Sequence, residues 1–133
     1  MSAPENTTTT AAPTTLAELR EAVLDGRGTL RLTGAGTAHD WAGDPEPADT
    51  ELDMRGVAGV VVHNPGDMTV EVRAGTPLRE LQAVLAEHGQ RVAFDAARIP
   101  LGATVGGLVA TGDSGPLRHR FGLLRDQIGR AHV

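Results

Sequence analysis

The sequence predicts an α+β fold, and three observations carry that prediction. Apolar residues recur at helical spacing in two separate segments, one opening at Thr15 and one at Thr76. Residues 57–63 and 68–74 are two strand-like runs joined by the turn chemistry of Asn64-Pro65-Gly66-Asp67. The order of strand, loop, strand pair, helix, strand and glycine-rich stretch lacks the regular βαβ alternation of a doubly wound sheet.

Residues 1–14 are polar, rich in Thr and without period, and are expected to form a disordered tail. Thr15-Leu16-Ala17-Glu18 is a capping box, in which Thr15 accepts from the Glu18 N–H and Glu18 reaches back. Leu16, Leu19, Val23 and Leu24 continue as one apolar stripe, and Gly26 and Gly28 stop the helix. Residues 29–33 alternate as a short strand, with Leu30 and Leu32 on one face. Residues 38–49 are acidic and turn-rich and read as a solvated loop.

Residues 52–54 form a short strand before the predicted antiparallel pair. In its second member Met68, Val70, Val72 and Ala74 share a face. Thr76-Pro77 opens the next helix, with Thr as N-cap and Pro at the first helical position. Leu78, Leu81, Val84 and Leu85 are its buried stripe, and Gly89 ends it. Residues 92–94 make a further short strand. Residues 100–115 hold five Gly, so the backbone there comes close to something. Residues 117–122 are basic with no compensating acid.

The chain has 133 residues, about one small domain. Twelve Arg, no Lys and 17 acidic residues give a net charge of −5, which argues against a nucleic-acid partner. With no Cys, disulfides, thiolate nucleophiles and Cys-based metal sites are excluded. No apolar run reaches the ~18 residues of a membrane helix. No secretory signal is visible, so a cytoplasmic or peripheral location is expected. Aromatic residues are only 2% of the chain, so Val, Leu and Ala must build the core.

Two glycine loops carry the candidate chemistry. Gly34-Ala35-Gly36-Thr37 follows a strand, where successive backbone N–H groups can hold a phosphate. The third glycine of the dinucleotide fingerprint is missing, so an ordinary tight turn remains open as the alternative. Gly102-Ala103-Thr104-Val105-Gly106-Gly107 places Thr104 at a helix start, with N–H groups free to face an anion. Thr104, Thr111 and Ser114 add hydroxyl donors. Together the loops suggest a pyrophosphate, which has two anionic centres. Arg118, Arg120 and Arg125 are candidates for its charge balance. The five His make no metal-binding spacing, and His39, Asp40 and Ser114 lack a nucleophile elbow, so no metal site and no hydrolase are expected.

Taken in order, Arg31-Leu32-Thr33-Gly34-Ala35-Gly36-Thr37, the run Val72-Arg73-Ala74-Gly75-Thr76-Pro77-Leu78, the second loop, Ser114-Gly115-Pro116 and Phe121-Gly122-Leu123-Leu124-Arg125-Asp126 resemble a family. It is the FAD-binding domain of the vanillyl-alcohol oxidase / p-cresol methylhydroxylase (PCMH) type. Within it, residues 102–126 most resemble the FAD subunits of glycolate oxidases.

The resemblance implies FAD held between two α+β subdomains, here an N-terminal one and an incomplete second. It assigns the cofactor to Gly34, Ala35, Gly36 and Thr37, and to Gly102, Ala103, Thr104, Gly106 and Gly107. It puts Thr111, Ser114 and Gly115 near the flavin or its ribityl chain. The implied activity is oxidation of a small 2-hydroxy acid by hydride transfer to FAD, with electrons leaving to glycolate-oxidase-type flavin and iron–sulfur partner subunits. A non-catalytic flavin- or nucleotide-binding subunit is the alternative.

Some relatives bind FAD covalently through a His after the first loop. The pattern around His39 differs, so non-covalent FAD is expected. Asp113 stands where relatives carry a small or neutral residue, so it must face solvent or weaken binding. No catalytic residue is assigned. The implied partition is a partial FAD-binding domain over 15–127. Residues 128–133 spell what a common sequencing adapter encodes in one frame, so they are expected to be read-through on a truncated chain.

Overall fold

The computed structural model describes residues 7–129. Among the described residues there are two small sheets and five α-helices, most of the strands preceding most of the helices. β1 (Thr9–Ala11), α1 (Leu16–Asp25), β2 (Leu30–Thr33) and β3 (Thr50–Asp53) make the N-terminal part. β4 (Val60–Asn64), β5 (Thr69–Val72), α2 (Leu78–Ala86), α3 (Val105–Thr111), α4 (Arg118–Phe121) and α5 (Leu124–Gln127) make the rest. The α+β expectation holds.

The first sheet is parallel in the order β1-β3-β2. Thr9–Ala11 is a strand where the sequence predicts a disordered tail, and the structure corrects that expectation. The Thr9 N–H donates to the Asp49 carbonyl at 2.9 Å, and the Thr8 hydroxyl donates to the Ala48 carbonyl at 2.8 Å. Extended β-branched Thr suits an edge strand, and with Thr9 and Thr10 exposed no apolar period marks it. Residues 1–6 of that tail and residues 130–133 lie outside the described residues.

α1 begins as expected. The Glu18 N–H donates to Thr15 Oγ1 at 3.1 Å, and the Thr15 N–H donates to Glu18 Oε2 at 3.3 Å. Its stripe is nevertheless not buried: Leu16, Val23 and Leu24 are exposed, as are Leu30 and Leu32 on β2. In this sheet the buried side chains are Thr33, Thr50 and Leu52, with Val57 just beyond.

β4 and β5 pair antiparallel, as the sequence predicts, and the structure adds a shift in register between Val60 and Val62. Their inner residues Val60, Val70 and Val72 pack against a core that includes Leu78, Leu81 and Leu85 of α2. Ala96, Ala103, Leu108 and Leu124 complete that core. Each buried leucine contributes about 1.5–3 kcal/mol, so three leucines on one helix face anchor this half of the chain.

Two expectations for this half need correction. Thr76 does not cap α2, whose N-cap is Pro77. Thr76 is buried. Its hydroxyl accepts from the Gly59 N–H at 2.8 Å and donates to the Arg73 carbonyl at 2.7 Å, closing the base of the hairpin. Residues 92–94 form no strand. The Gln82 side chain takes a neighbouring strand's place: its amide donates to the Val92 carbonyl at 2.8 Å and accepts from the Val92 N–H at 3.2 Å. Gly75 joins the two halves where a Cβ would fall 2.0 Å from the Met54 carbonyl oxygen.

Candidate functional site

The loop after β2 and the segment before α3 face each other across a cleft of about 180 Å³. β2 delivers the first loop at its C-terminal end, and Gly36 takes the left-handed conformation at φ +72° that turns the chain there. The second wall is fixed by backbone bonds to the hairpin exit. The Leu78 N–H donates to the Ala103 carbonyl at 2.9 Å, and the Val105 N–H donates to the Thr76 carbonyl at 2.8 Å.

Of the residues singled out in the sequence, Gly34, Ala35, Gly36, Thr37, Ala103, Thr104, Gly107 and Thr111 line the cleft. Gly102, Gly106, Ser114 and Gly115 do not. Gly106 has a structural role: its N–H donates to the Ala74 carbonyl at 2.8 Å, and a Cβ there would lie 2.9 Å from that of Ala74. The Gly115 N–H is held by Asp95 Oδ1 at 2.9 Å, and Asp95 Oδ2 accepts from the Leu117 N–H at 3.0 Å.

The donors differ between the two walls. Among the described residues, the backbone N–H groups of Ala35, Gly36 and Thr37 donate to no protein acceptor. The second loop departs from expectation, because its N–H groups at the helix start are engaged. Those of Val105 and Gly106 bond to carbonyls, and that of Gly107 donates to Thr104 Oγ1 at 3.2 Å. The Thr111 hydroxyl donates back to the Gly107 carbonyl at 2.9 Å. Free donors therefore sit on the first loop, while the second supplies a close-fitting wall.

Cationic charge in the cleft comes from a residue the sequence reading passed over. Arg118, Arg120 and Arg125 lie on α4 and α5, away from the cleft wall. Arg98 lines it, just before the 3-10 turn Ile99–Leu101. Its Nη1 donates to the Thr37 carbonyl and, at 3.0 Å, to Asp40 Oδ1. Its guanidinium carbon lies 4.8 Å from the Trp41 ring centre. The Arg98 hydrogen bond, then the backbone N–H of Asp40, hold the Asp40 carboxyl below its ordinary value. No local motif marks Arg98; the only hint is its place just upstream of the second glycine loop.

Asp113 reaches the cleft wall and is half-buried, and its N–H donates to Thr111 Oγ1 at 3.4 Å. His39 also lines the cleft, with ring atoms 3.5 Å from where a Cβ on Gly36 would stand. Among the described residues no group of three or more His, Asp or Glu is placed to hold a metal ion.

Ligand cavities for whole small molecules usually span about 300–1,000 Å³, so this cleft is sized for one segment of a ligand. Free N–H donors, small walls and one guanidinium suit a segment that is compact and anionic.

Residues 8–133 match a protein family described as FAD binding domain. Over 75 residues the chain is 37% identical to glycolate oxidase subunit GlcE of Escherichia coli (strain K12), covering 56% of this chain and 21% of that one. Among solved structures, alkyldihydroxyacetonephosphate synthase superposes with a TM-score of 0.75 at 23% identity, over 88% of this chain and 23% of that one. Phl p 4.0202, a glucose dehydrogenase, superposes with a TM-score of 0.73 at 25% identity, over 93% and 26%. The chain thus spans about a fifth of its curated relative.

Proposed function

The chain belongs to the FAD-binding domain family, whose cofactor is FAD, and from that premise we propose that its cleft holds the diphosphate of FAD. The observation that supports this best is the meeting of two glycine loops that lie far apart in the sequence. One brings unpartnered N–H groups, and the other is packed tightly enough to shape the wall. In this reading Ala35, Gly36 and Thr37 donate to the diphosphate. Gly34, Gly107 and Ala103 keep the walls close, and Thr104 and Thr111 set the wall's shape. Gly102 and Gly106 hold the second loop in place from behind, and Ser114 and Gly115 lie further along, toward the flavin end.

Bound FAD would supply hydride acceptance, and the protein's part is to bind and orient it. Likeness to the glycolate oxidase subunit supports a small 2-hydroxy acid as the substrate of the whole protein, with partner subunits taking the electrons. Among the described residues no helix is long and apolar enough to cross a membrane. A peripheral location through those partners is part of the proposal. Attachment of FAD is non-covalent in this proposal.

The test is a titration of the full chain with FAD, followed by flavin fluorescence. ADP should compete and riboflavin should not, since only ADP carries the diphosphate. Failure to bind FAD would overturn the reading. Flavin that stays with the denatured polypeptide would overturn the non-covalent part. Bleaching of bound flavin by glycolate in the complete assembly tests the substrate.

A further inference from the structure

We propose that Arg98 is a diphosphate-recognising residue whose position is set by Thr37 and whose charge is held in check by Asp40. The inference rests on the cleft being a diphosphate site. Arg98 is the one arginine on the cleft wall among the described residues. Its protein partners, the Thr37 carbonyl and Asp40, are both taken by Nη1. The Nε and Nη2 donors have no protein acceptor among the described residues, which leaves one edge of the guanidinium available. That edge matches two oxygens of a phosphate group.

The Nη1 bond to Thr37 does a second thing. It joins the exit of the first glycine loop to the segment that leads into the second, so the residue that meets the anion also fixes the loop whose N–H groups meet it. Asp40 is mostly exposed, with its side chain at 74% exposure, whereas that of Arg98 is at 27%. In the free protein this carboxylate neutralises the guanidinium; a bound diphosphate competes with it for the same charge. Trp41, the chain's single Trp, lies under the guanidinium and reports its movement.

The experiment measures FAD affinity in the full chain and in Arg98→Gln, Arg98→Lys, Asp40→Asn and the Arg98→Gln/Asp40→Asn double variant. Losing a charge-assisted contact should weaken binding about tenfold or more in Arg98→Gln. Arg98→Lys should recover only part of this, because an ammonium is a point charge without the planar fork that meets two phosphate oxygens. Freeing the guanidinium should tighten binding about threefold in Asp40→Asn. That gain should vanish in the double variant, as a double-mutant cycle requires if it acts through Arg98. ADP should change Trp41 emission in the wild type and not in Arg98→Gln.

A gain from Asp40→Asn that persists without Arg98 overturns the inference and leaves the cleft reading intact. So does wild-type FAD affinity in Arg98→Gln. If Arg98→Gln does not fold, Arg98→Lys and Asp40→Asn decide the matter. Absence of FAD binding in every form, wild type included, overturns the cleft reading and this inference together.

Discussion

Thr104 Oγ1 lies 2.7 Å from the place where a Cβ on Gly34 would stand. The two glycine loops therefore touch through a hydroxyl and a missing side chain, and the cleft takes its shape from that contact.

Gly34→Ala should push the loops apart and cost about 1–3 kcal/mol, the usual penalty for overpacking. FAD affinity should fall with it. Thr104→Ala alone removes a helix cap and should cost about 1 kcal/mol. Combined with Gly34→Ala it should restore room, so the double variant should lose less than the sum of the two single losses. Thermal melts and FAD titrations of the three variants check this; strict additivity would show that the loops do not press on each other.

Gly75→Ala should prevent stable folding. The clash is with the carbonyl oxygens of Met54, at 2.0 Å, and Val57, at 2.7 Å, so no flexible side chain can yield. Backbone conflict of this kind belongs with changes of about 4 kcal/mol or more, a large share of a small domain's stability. Circular dichroism melting is the measurement, and a normal melt contradicts the packing described.

Replacements at Thr76 separate its observed role from a helix cap. A cap tolerates Asp and Asn. A buried hydroxyl bridging Gly59 and Arg73 tolerates Ser and rejects Asp. Thr76→Val should cost about 1–3 kcal/mol, because the Gly59 N–H loses its acceptor. Thr76→Ser should remain near wild type. Thr76→Asp melting no lower than Thr76→Ser would restore the capping role.

Acid should loosen the join between β2 and β3. The Thr29 backbone N–H, then the Thr29 hydroxyl, hold the Asp49 carboxyl below its ordinary 3.8. A depressed carboxylate stabilises the fold fully above its unfolded value and loses that contribution as pH falls through the folded one. The loss therefore sets in near 3.8 and deepens below it. Asp49→Asn should flatten the dependence of melting temperature on pH in that window; an unchanged slope would remove Asp49 from the account.

Much of the fold was legible because local chemistry decided it. Thr15 and Glu18 form their box within four residues, the hairpin follows from Asn64-Pro65-Gly66-Asp67, and Leu78, Leu81 and Leu85 announce their face by spacing. What stayed hidden depends on partners distant in sequence. β1 is recognisable only once β3 lies beside it. Thr76 looks like a cap until Gly59 arrives across the hairpin, and residues 92–94 look like a strand until the Gln82 amide takes their bonds. The two glycine loops of the site were legible as backbone that must pack closely. Arg98 was not, since its partners Thr37 and Asp40 lie about 60 residues upstream.

The walls of the cleft come from different packing groups. Leu52 and Val57 support the parallel sheet that presents the first loop, while the core around α2 supports the second. An occupant that touches both walls is then a cross-link in the folding equilibrium as well as a guest. Its binding energy adds to the cost of opening either half, so occupancy couples their unfolding more strongly.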